Sequence, residues 1–164
     1  MKKSFRLTLA TAVCACAALM FWAAAASATS GAHFFSATGS VDNSGALVAT
    51  WDEAGVGQQQ INYVLTADST AVYACINGGS NHPKAANKAT FSGPLTSPSV
   101  GFLPQNGRVQ GSIALGPISA DGFSCPSGQR LVLASVSYTN ILLTDTTNNV
   151  STSIADTSRT FFTF

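Results

Sequence analysis

Short runs in which apolar residues occupy alternate positions fill most of the chain after residue 30. In one of them, Val109, Ile113 and Leu115 would lie on one face of a strand, with Gln110 and Ser112 on the other. A period of two is typical of β-strands that have one face buried. The predicted strands span residues 33–41, 46–51, 61–67, 70–76, 88–95, 108–115, 130–145 (one bent strand or two) and 150–164.

The segments between these runs carry residues that favour turns. Asn106-Gly107 and Asn77-Gly78 combine residues that tolerate a positive φ, and Thr-Asn-Asn at 147–149 predicts a hairpin turn. One short helix is predicted over residues 83–88, because a proline suits the first helical turn. Seven or eight short strands in one small domain predict an all-β fold, a single antiparallel β-sandwich of immunoglobulin-like architecture.

The first 28 residues have a different pattern. Lys2, Lys3 and Arg6 precede an uncharged stretch over residues 7–26, which ends in Ala-Ser-Ala at 26–28. This order is typical of a secretory signal peptide, and we expect cleavage after Ala28, leaving a single domain over residues 29–164. The apolar stretch is also long enough for a bilayer span, which needs about 20 residues, so a retained anchor is the alternative. After cleavage no membrane span is expected.

Removal of this leader changes the charge of the protein. The whole chain has eight basic and seven acidic residues, a net charge of +1. Residues 29–164 keep five basic and all seven acidic residues, a net charge of −2. A weakly acidic protein without a basic patch is unsuited to nucleic acid, and no basic amphipathic helix indicates binding to a membrane surface. Together with the leader pattern, this favours a secreted, extracellular protein.

Two cysteines belong to the predicted secreted part of the chain. Cys75 and Cys125 form an even pair, whereas Cys14 and Cys16 lie in the leader. In an exported protein such a pair predicts a disulfide. A catalytic or metal-binding thiol is the alternative, but there is no Cys-x-x-Cys and no histidine at ligand spacing.

The sequence offers little catalytic chemistry. There is no Gly-x-Ser-x-Gly and no His-Glu-x-x-His, and His33 and His82 are the only imidazoles. Asp52 and Glu53 would point to opposite faces of a strand, and we interpret them as a solvated turn after Trp51 rather than as a glycosidase pair. We predict no catalytic residue, no metal site and no cofactor.

A calcium site is the alternative to the prediction that the protein binds no metal. Asp42-Asn43, and Asp145 with Asn148, offer oxygen ligands at predicted turns. The same residue types are also ordinary turn formers.

The strongest candidate binding residues are His82, Lys84 and Lys88. They concentrate charge in a Gly/Asn-rich loop over residues 77–88, beside the predicted disulfide. Binding residues favour loops held by a rigid scaffold, although a solvated loop would have the same composition. A second candidate surface consists of the aromatic side chains, which could stack on sugars but which we expect in the core: Trp51, Tyr63, Tyr73 and Tyr138.

Two parts of the chain resemble a family of small secreted actinobacterial proteins. The similar segments are Ala-Cys-Ile-Asn-Gly-Gly at 74–79, Ala-Ala-Asn-Lys at 85–88, Cys-Pro-Ser-Gly-Gln-Arg-Leu at 125–131, Ser-Val-Ser-Tyr-Thr-Asn at 135–140 and Leu-Thr-Asp-Thr-Thr-Asn at 143–148. That family has no established activity. The resemblance therefore implies secretion and a β architecture, and it assigns no catalytic residue.

Together these features predict a secreted, non-enzymatic β-sandwich that binds an extracellular protein or a cell-wall component. One alternative is a small secreted enzyme inhibitor that presents the loop over residues 77–88. The other is a small exported hydrolase, which the lack of a paired acid, a metal cluster and a well-placed base disfavours.

Overall fold

The computed structural model describes residues 31–77 and 87–163, and these residues form nine β-strands and no helix. The strands are β1 (His33–Val41), β2 (Leu47–Ala54), β3 (Ile61–Asn77), β4 (Lys88–Thr96), β5 (Val100–Phe102), β6 (Arg108–Leu115), β7 (Gln129–Asp145), β8 (Val150–Ile154) and β9 (Thr157–Thr160).

The strands form two antiparallel sheets that pack against each other. The smaller sheet has the order β1-β2-β6. The larger sheet has the order β4-β3-β7-β8, with β5 also paired to β3 and β9 also paired to β7. The predicted all-β fold, an antiparallel β-sandwich, is confirmed.

The core lies between the two sheets, where alternate residues of each strand meet. Trp51, Tyr63 and Tyr138 are buried there, as predicted, and Tyr73 is half-buried. The hydroxyl of Tyr138 donates to the carbonyl of Gly45 at 2.7 Å. Buried hydroxyls need such partners because an unpaired polar group in the core is costly.

Strand β3 is longer than the sequence pattern predicts, and for β7 one of the two predicted alternatives, a single strand, is observed. Residues 61–67 and 70–76 belong to the single 17-residue strand β3, and β7 is also one continuous strand of 17 residues. The polar segment between the two predicted strands is absorbed by a register shift between Thr66 and Asp68. Asn140 on β7 has φ 51° and donates to Asp68 at 2.8 Å, so the irregularity is stabilised from both strands.

The predicted turns are confirmed where the structure describes them. Asn106 and Gly107 have φ of 52° and 73°, and Asn149 has φ 57° in the β7–β8 hairpin. Gly78 and residues 83–86 lie outside the described residues. The predicted helix does not extend to Lys88, because this residue pairs with Ala74 at the start of β4.

The C-terminal end of β3 and the N-terminal end of β7 lie side by side, and a loop covers them instead of a second sheet. Ile118, in the segment 116–128 between β6 and β7, accepts a hydrogen bond from Tyr73 Oη at 2.8 Å through its carbonyl oxygen. Phe123 contacts Phe91 with ring centroids 6.4 Å apart. The predicted disulfide between Cys75 and Cys125 is confirmed, and it ties this loop to β3. In immunoglobulin domains, by contrast, the conserved disulfide joins the two sheets.

Candidate functional site

Of the three predicted binding residues, the structure describes one. Lys88 is exposed and begins β4, whereas His82 and Lys84 lie outside the described residues. The Cys75 N–H donates to the Asn87 carbonyl at 3.0 Å, so the end of the loop is attached to β3 beside the disulfide. Binding by this loop stays a prediction.

The described part of the chain presents a further candidate surface, distinct from the predicted loop and from the aromatic side chains, on the outside of the smaller sheet. Its side chains occupy the positions that alternate with the core residues of β1, β2 and β6. Strand register places Ser36 beside Asp52 and Asp52 beside Gln110, and the next row consists of Thr38, Thr50 and Ser112. We call this surface the outer polar face; it comprises Ser36, Thr38, Thr50, Asp52, Arg108, Gln110 and Ser112.

A bulge in β1 adds an exposed aromatic ring to this face. The register shifts between Phe34 and Ser36, which leaves Phe35 as an extra residue. Phe34 packs against the buried Tyr63, whereas Phe35 is 61% exposed. The Arg108 guanidinium carbon lies 5.1 Å from the centre of the Phe35 ring. Bulges commonly re-aim side chains at functional sites.

An ion pair organises the polar groups of the face. Arg108 donates through Nε and Nη2 to the two oxygens of Asp52, and Gln110 Nε2 donates to Asp52 Oδ2 at 2.9 Å. The bond from Arg108, followed by that from Gln110, lowers the pKa of Asp52. Exposed ion pairs add little stability. The network instead holds three planar hydrogen-bonding groups in place.

Two shallow depressions are lined in part by residues of the outer polar face, and both are lined by Gln110. One, of about 630 Å³, lies among Leu103, Gln105, Asn106, Arg108 and Gln110, and Leu103 is 75% exposed. The other, of about 710 Å³, lies over Gly111, with Trp51 and Phe102 among its lining residues. A Cβ on Gly111 would lie 2.5 Å from the Trp51 ring, so the glycine allows the ring to approach the strand.

The predicted role of Asp52 and Glu53 is partly wrong. They point to opposite sides of β2, as predicted, but they do not form a solvated turn. Glu53 is completely buried, and the Tyr63 hydroxyl donates to Glu53 Oε2 at 2.7 Å. The strand continues to Ala54 because β1 and β6 pair with it on both sides. The position of Glu53, two residues after Trp51, was the available signal for its burial.

Glu53 forms a buried carboxyl pair with Asp145. Burial, and to a smaller extent the nearby Asp145 carboxyl, raise the pKa of Glu53 to about 7, against the opposing effect of the Tyr63 hydrogen bond. Asp145 is also fully buried and accepts the backbone N–H groups of Thr147 and Asn148 at 2.7 and 2.9 Å. The closeness of this second buried carboxyl group disfavours ionisation of Glu53. Lack of solvent contact suits a structural role for the pair.

The oxygens considered for calcium accept hydrogen bonds from their own turns. Asp42 Oδ1 accepts the backbone N–H groups of Ser44 and Ala46 at 2.8 and 2.9 Å. Asp145 Oδ2 accepts Asn148 Nδ2 at 2.6 Å. Both aspartates thus act as turn formers. Within residues 31–77 and 87–163, no three or more His, Cys, Asp or Glu residues form a group able to hold a metal.

Comparisons with protein families, curated proteins and solved structures found no match to this chain. Within the described ranges, no helix is long and apolar enough to span a membrane. The residues around the Asp52–Arg108 pair combine exposed apolar side chains with fixed polar groups on one described surface.

Proposed function

We propose that this protein is a secreted, non-enzymatic binding module whose ligand surface is the outer polar face. The leader pattern, the resemblance to secreted actinobacterial proteins and the Cys75–Cys125 disulfide support secretion. Such a disulfide persists in an oxidising compartment and is rare in the cytosol.

The observation that carries the binding proposal is the exposure of Phe35 and Leu103, both of which lie near Arg108 of the Asp52–Arg108 pair. Their exposed fractions are 61% and 75%, the highest among the large apolar side chains described as exposed. Apolar anchors beside fixed planar polar groups are typical of binding surfaces. The sheet beneath them is rigid because β2 is paired on both sides.

The charge of the face favours an uncharged ligand. Asp52 and Arg108 neutralise each other, and the remaining groups are hydroxyls and an amide. Hydroxyls and amides both donate and accept hydrogen bonds, as do the hydroxyls of a polysaccharide. A cell-wall component rich in hydroxyl groups is thus the proposed ligand, with a secreted protein as the other candidate partner.

Retention of the secreted protein on purified cell-wall polysaccharide tests this proposal. We expect the double variant Phe35→Ser and Leu103→Ser to lose retention, because both apolar anchors are removed. The matched control is Leu131→Ser and Leu142→Ser, which removes two exposed leucines from the larger sheet. Equal retention of the wild type and of both double variants would contradict the proposal.

An enzyme inhibitor that presents residues 77–88 is a second candidate. It is supported by the rigid end of the loop, where the Cys75 N–H bonds to Asn87 beside the disulfide. Inhibitory loops gain affinity from such pre-organisation, because less conformational entropy is lost on binding. For a hydrolase, the buried Glu53–Asp145 pair provides no accessible acid and base.

A further inference from the structure

We propose that the free edge of β6 pairs antiparallel with β6 of a second copy of this chain. The pairing would join two smaller sheets into one continuous sheet of order β1-β2-β6-β6-β2-β1. This inference goes beyond the proposed binding function, since it concerns the edge of the smaller sheet and not its outer polar face.

β6 has an unpaired edge in the part of the chain that the structure describes. It is the last strand of its sheet and pairs with β2 over all eight of its residues without a register shift. Among the described backbone hydrogen bonds outside the strands, none involves residues 109–115. At its start this edge is occupied, because the backbone of Arg108 exchanges both of its hydrogen bonds with Gln105. Backbone groups alternate between the two edges of an antiparallel strand, so the N–H and C=O groups of Gln110, Ser112 and Ala114 face away from β2 and can accept a further strand.

The other long edges carry features that oppose strand addition. β1 has the bulge at Phe35, and β4 contains Lys88 and Pro94. The strands β5, β8 and β9 have only three, five and four residues. Proteins protect sheet edges with bulges, lysines, prolines and short strands, and β6 has none of these. The contrast within one molecule indicates that the β6 edge is left open.

A second copy fits this edge because β6 is compatible with itself. A two-fold axis perpendicular to the sheet keeps the inner side of both copies on the same side. The buried row of Val109, Ile113 and Leu115 then continues into the same row of the partner, and the polar rows continue likewise. Arg108 is the only charged residue of β6 and lies at one end, so antiparallel pairing separates the two copies of Arg108.

The dimer would also place both outer polar faces on one side of a single sheet. Two copies of the surface with the same orientation suit a repeating polymer, because the second contact becomes intramolecular. One pair of edge strands buries a small area compared with a stable interface of about 1,600 Å². We therefore expect a weak dimer whose fraction rises with protein concentration.

Sedimentation equilibrium of the secreted protein over about 1 µM to 1 mM tests the pairing. The test variant is Ser112→Lys with Ala114→Lys, which adds two exposed positive charges to each edge. We expect its self-association to be at least about tenfold weaker, because the charges of the two copies would face each other. The control is Ser158→Lys with Thr160→Lys, which adds the same charges to exposed positions of β9.

Hydrogen exchange distinguishes pairing at β6 from dimerisation elsewhere and shows that the variants remain folded. Exchange at residues 109–115 should slow as wild-type concentration rises, while the core strands exchange equally in all variants. A wild type that stays monomeric throughout would overturn the inference. So would a dimer that the Ser112/Ala114 variant forms equally well, or one with concentration-independent exchange at β6.

Discussion

The two ends of the long strands β3 and β7 are held by different means. At one end the smaller sheet covers them, and Trp51, Tyr63 and Leu143 pack in a continuous core. At the other end the loop over residues 116–128 takes the place of the second sheet, and the disulfide attaches it. The same two strands are thus stabilised by sheet packing at one end and by a covalent bond at the other.

The comparison shows where the fold tolerates polar groups. The sheet-covered end encloses Glu53, Tyr63 and Asp145, each completely buried, with a hydrogen bond from the Tyr63 hydroxyl to Glu53. The loop-covered end has a smaller set of aromatic contacts, with Tyr73 and Phe91 ring centroids 5.9 Å apart. Well-packed surroundings can fix a buried polar network, whereas a loop with few contacts depends more on a cross-link.

The largest expected effect concerns the loop-covered end. Replacing Cys75 and Cys125 by Ala should lower the free energy of unfolding by about 4 kcal/mol, as the chain-entropy model gives for a loop of this length. Denaturant unfolding of the wild type and the double variant measures the change. Hydrogen exchange should accelerate first around residues 116–135 and last around Trp51. Uniform acceleration at both ends would contradict the proposed division of the molecule.

The next effect concerns the sheet-covered end and its dependence on pH. The pKa of Glu53 is about 7 in the folded protein and 4.5 ordinarily, so the folded state holds this proton more tightly. The contribution of Glu53 to stability should therefore be greatest below about pH 5 and should decrease as the pH rises from about 5 to 8, by about 2–3 kcal/mol. The measurement is denaturant unfolding at several pH values in this range.

Two variants isolate the contribution of Glu53. Glu53→Gln cannot ionise, so this part of the pH dependence should disappear. Asp52→Asn should retain it, because the pKa of Asp52 is lowered and this exposed carboxyl stays ionised above pH 5. If Glu53→Gln and the wild type had the same slope, the protonated Glu53 would not be the cause.

The smallest expected effect on stability concerns the loop over residues 77–88. The polar composition of the loop predicts solvated side chains, so replacing His82, Lys84 and Lys88 by Ala should leave the unfolding free energy nearly unchanged. If the loop recognises an acidic partner, the same variant should lose that partner, and wild-type binding should weaken as salt rises. A pull-down from culture medium at low and high salt measures this, and equal recovery by both proteins would identify a solvated connection.

Local patterns predicted much of this molecule. The alternation over residues 33–41 and 108–115 matches β1 and β6 at both ends, because a half-buried strand imposes a period of two on its own sequence. The disulfide followed from having only two cysteines beyond the predicted leader. The turn at Asn106-Gly107 followed from the few residues that adopt a positive φ without strain.

Other features depended on the partner strands and could not be inferred from one segment. The continuity of β3 depends on β7, whose Asn140 stabilises the irregularity at Asp68. The short strand β5 has too few residues to show a period, and it forms because β3 offers it an edge. The burial of Glu53 depends on Tyr63 and Asp145, which come from the opposite sheet.

The candidate site shows most clearly the difference between what local sequence patterns predict and what depends on the pairing of distant strands. By itself, the sequence determined an all-β chain with one disulfide and a loop of concentrated charge. Only the tertiary structure decided that Phe35 is exposed and that Phe34 packs against the core, because the bulge exists only in the pairing of β1 with β2. It also brought Arg108 to Asp52, 56 positions apart, and so assembled a surface that no local pattern contains.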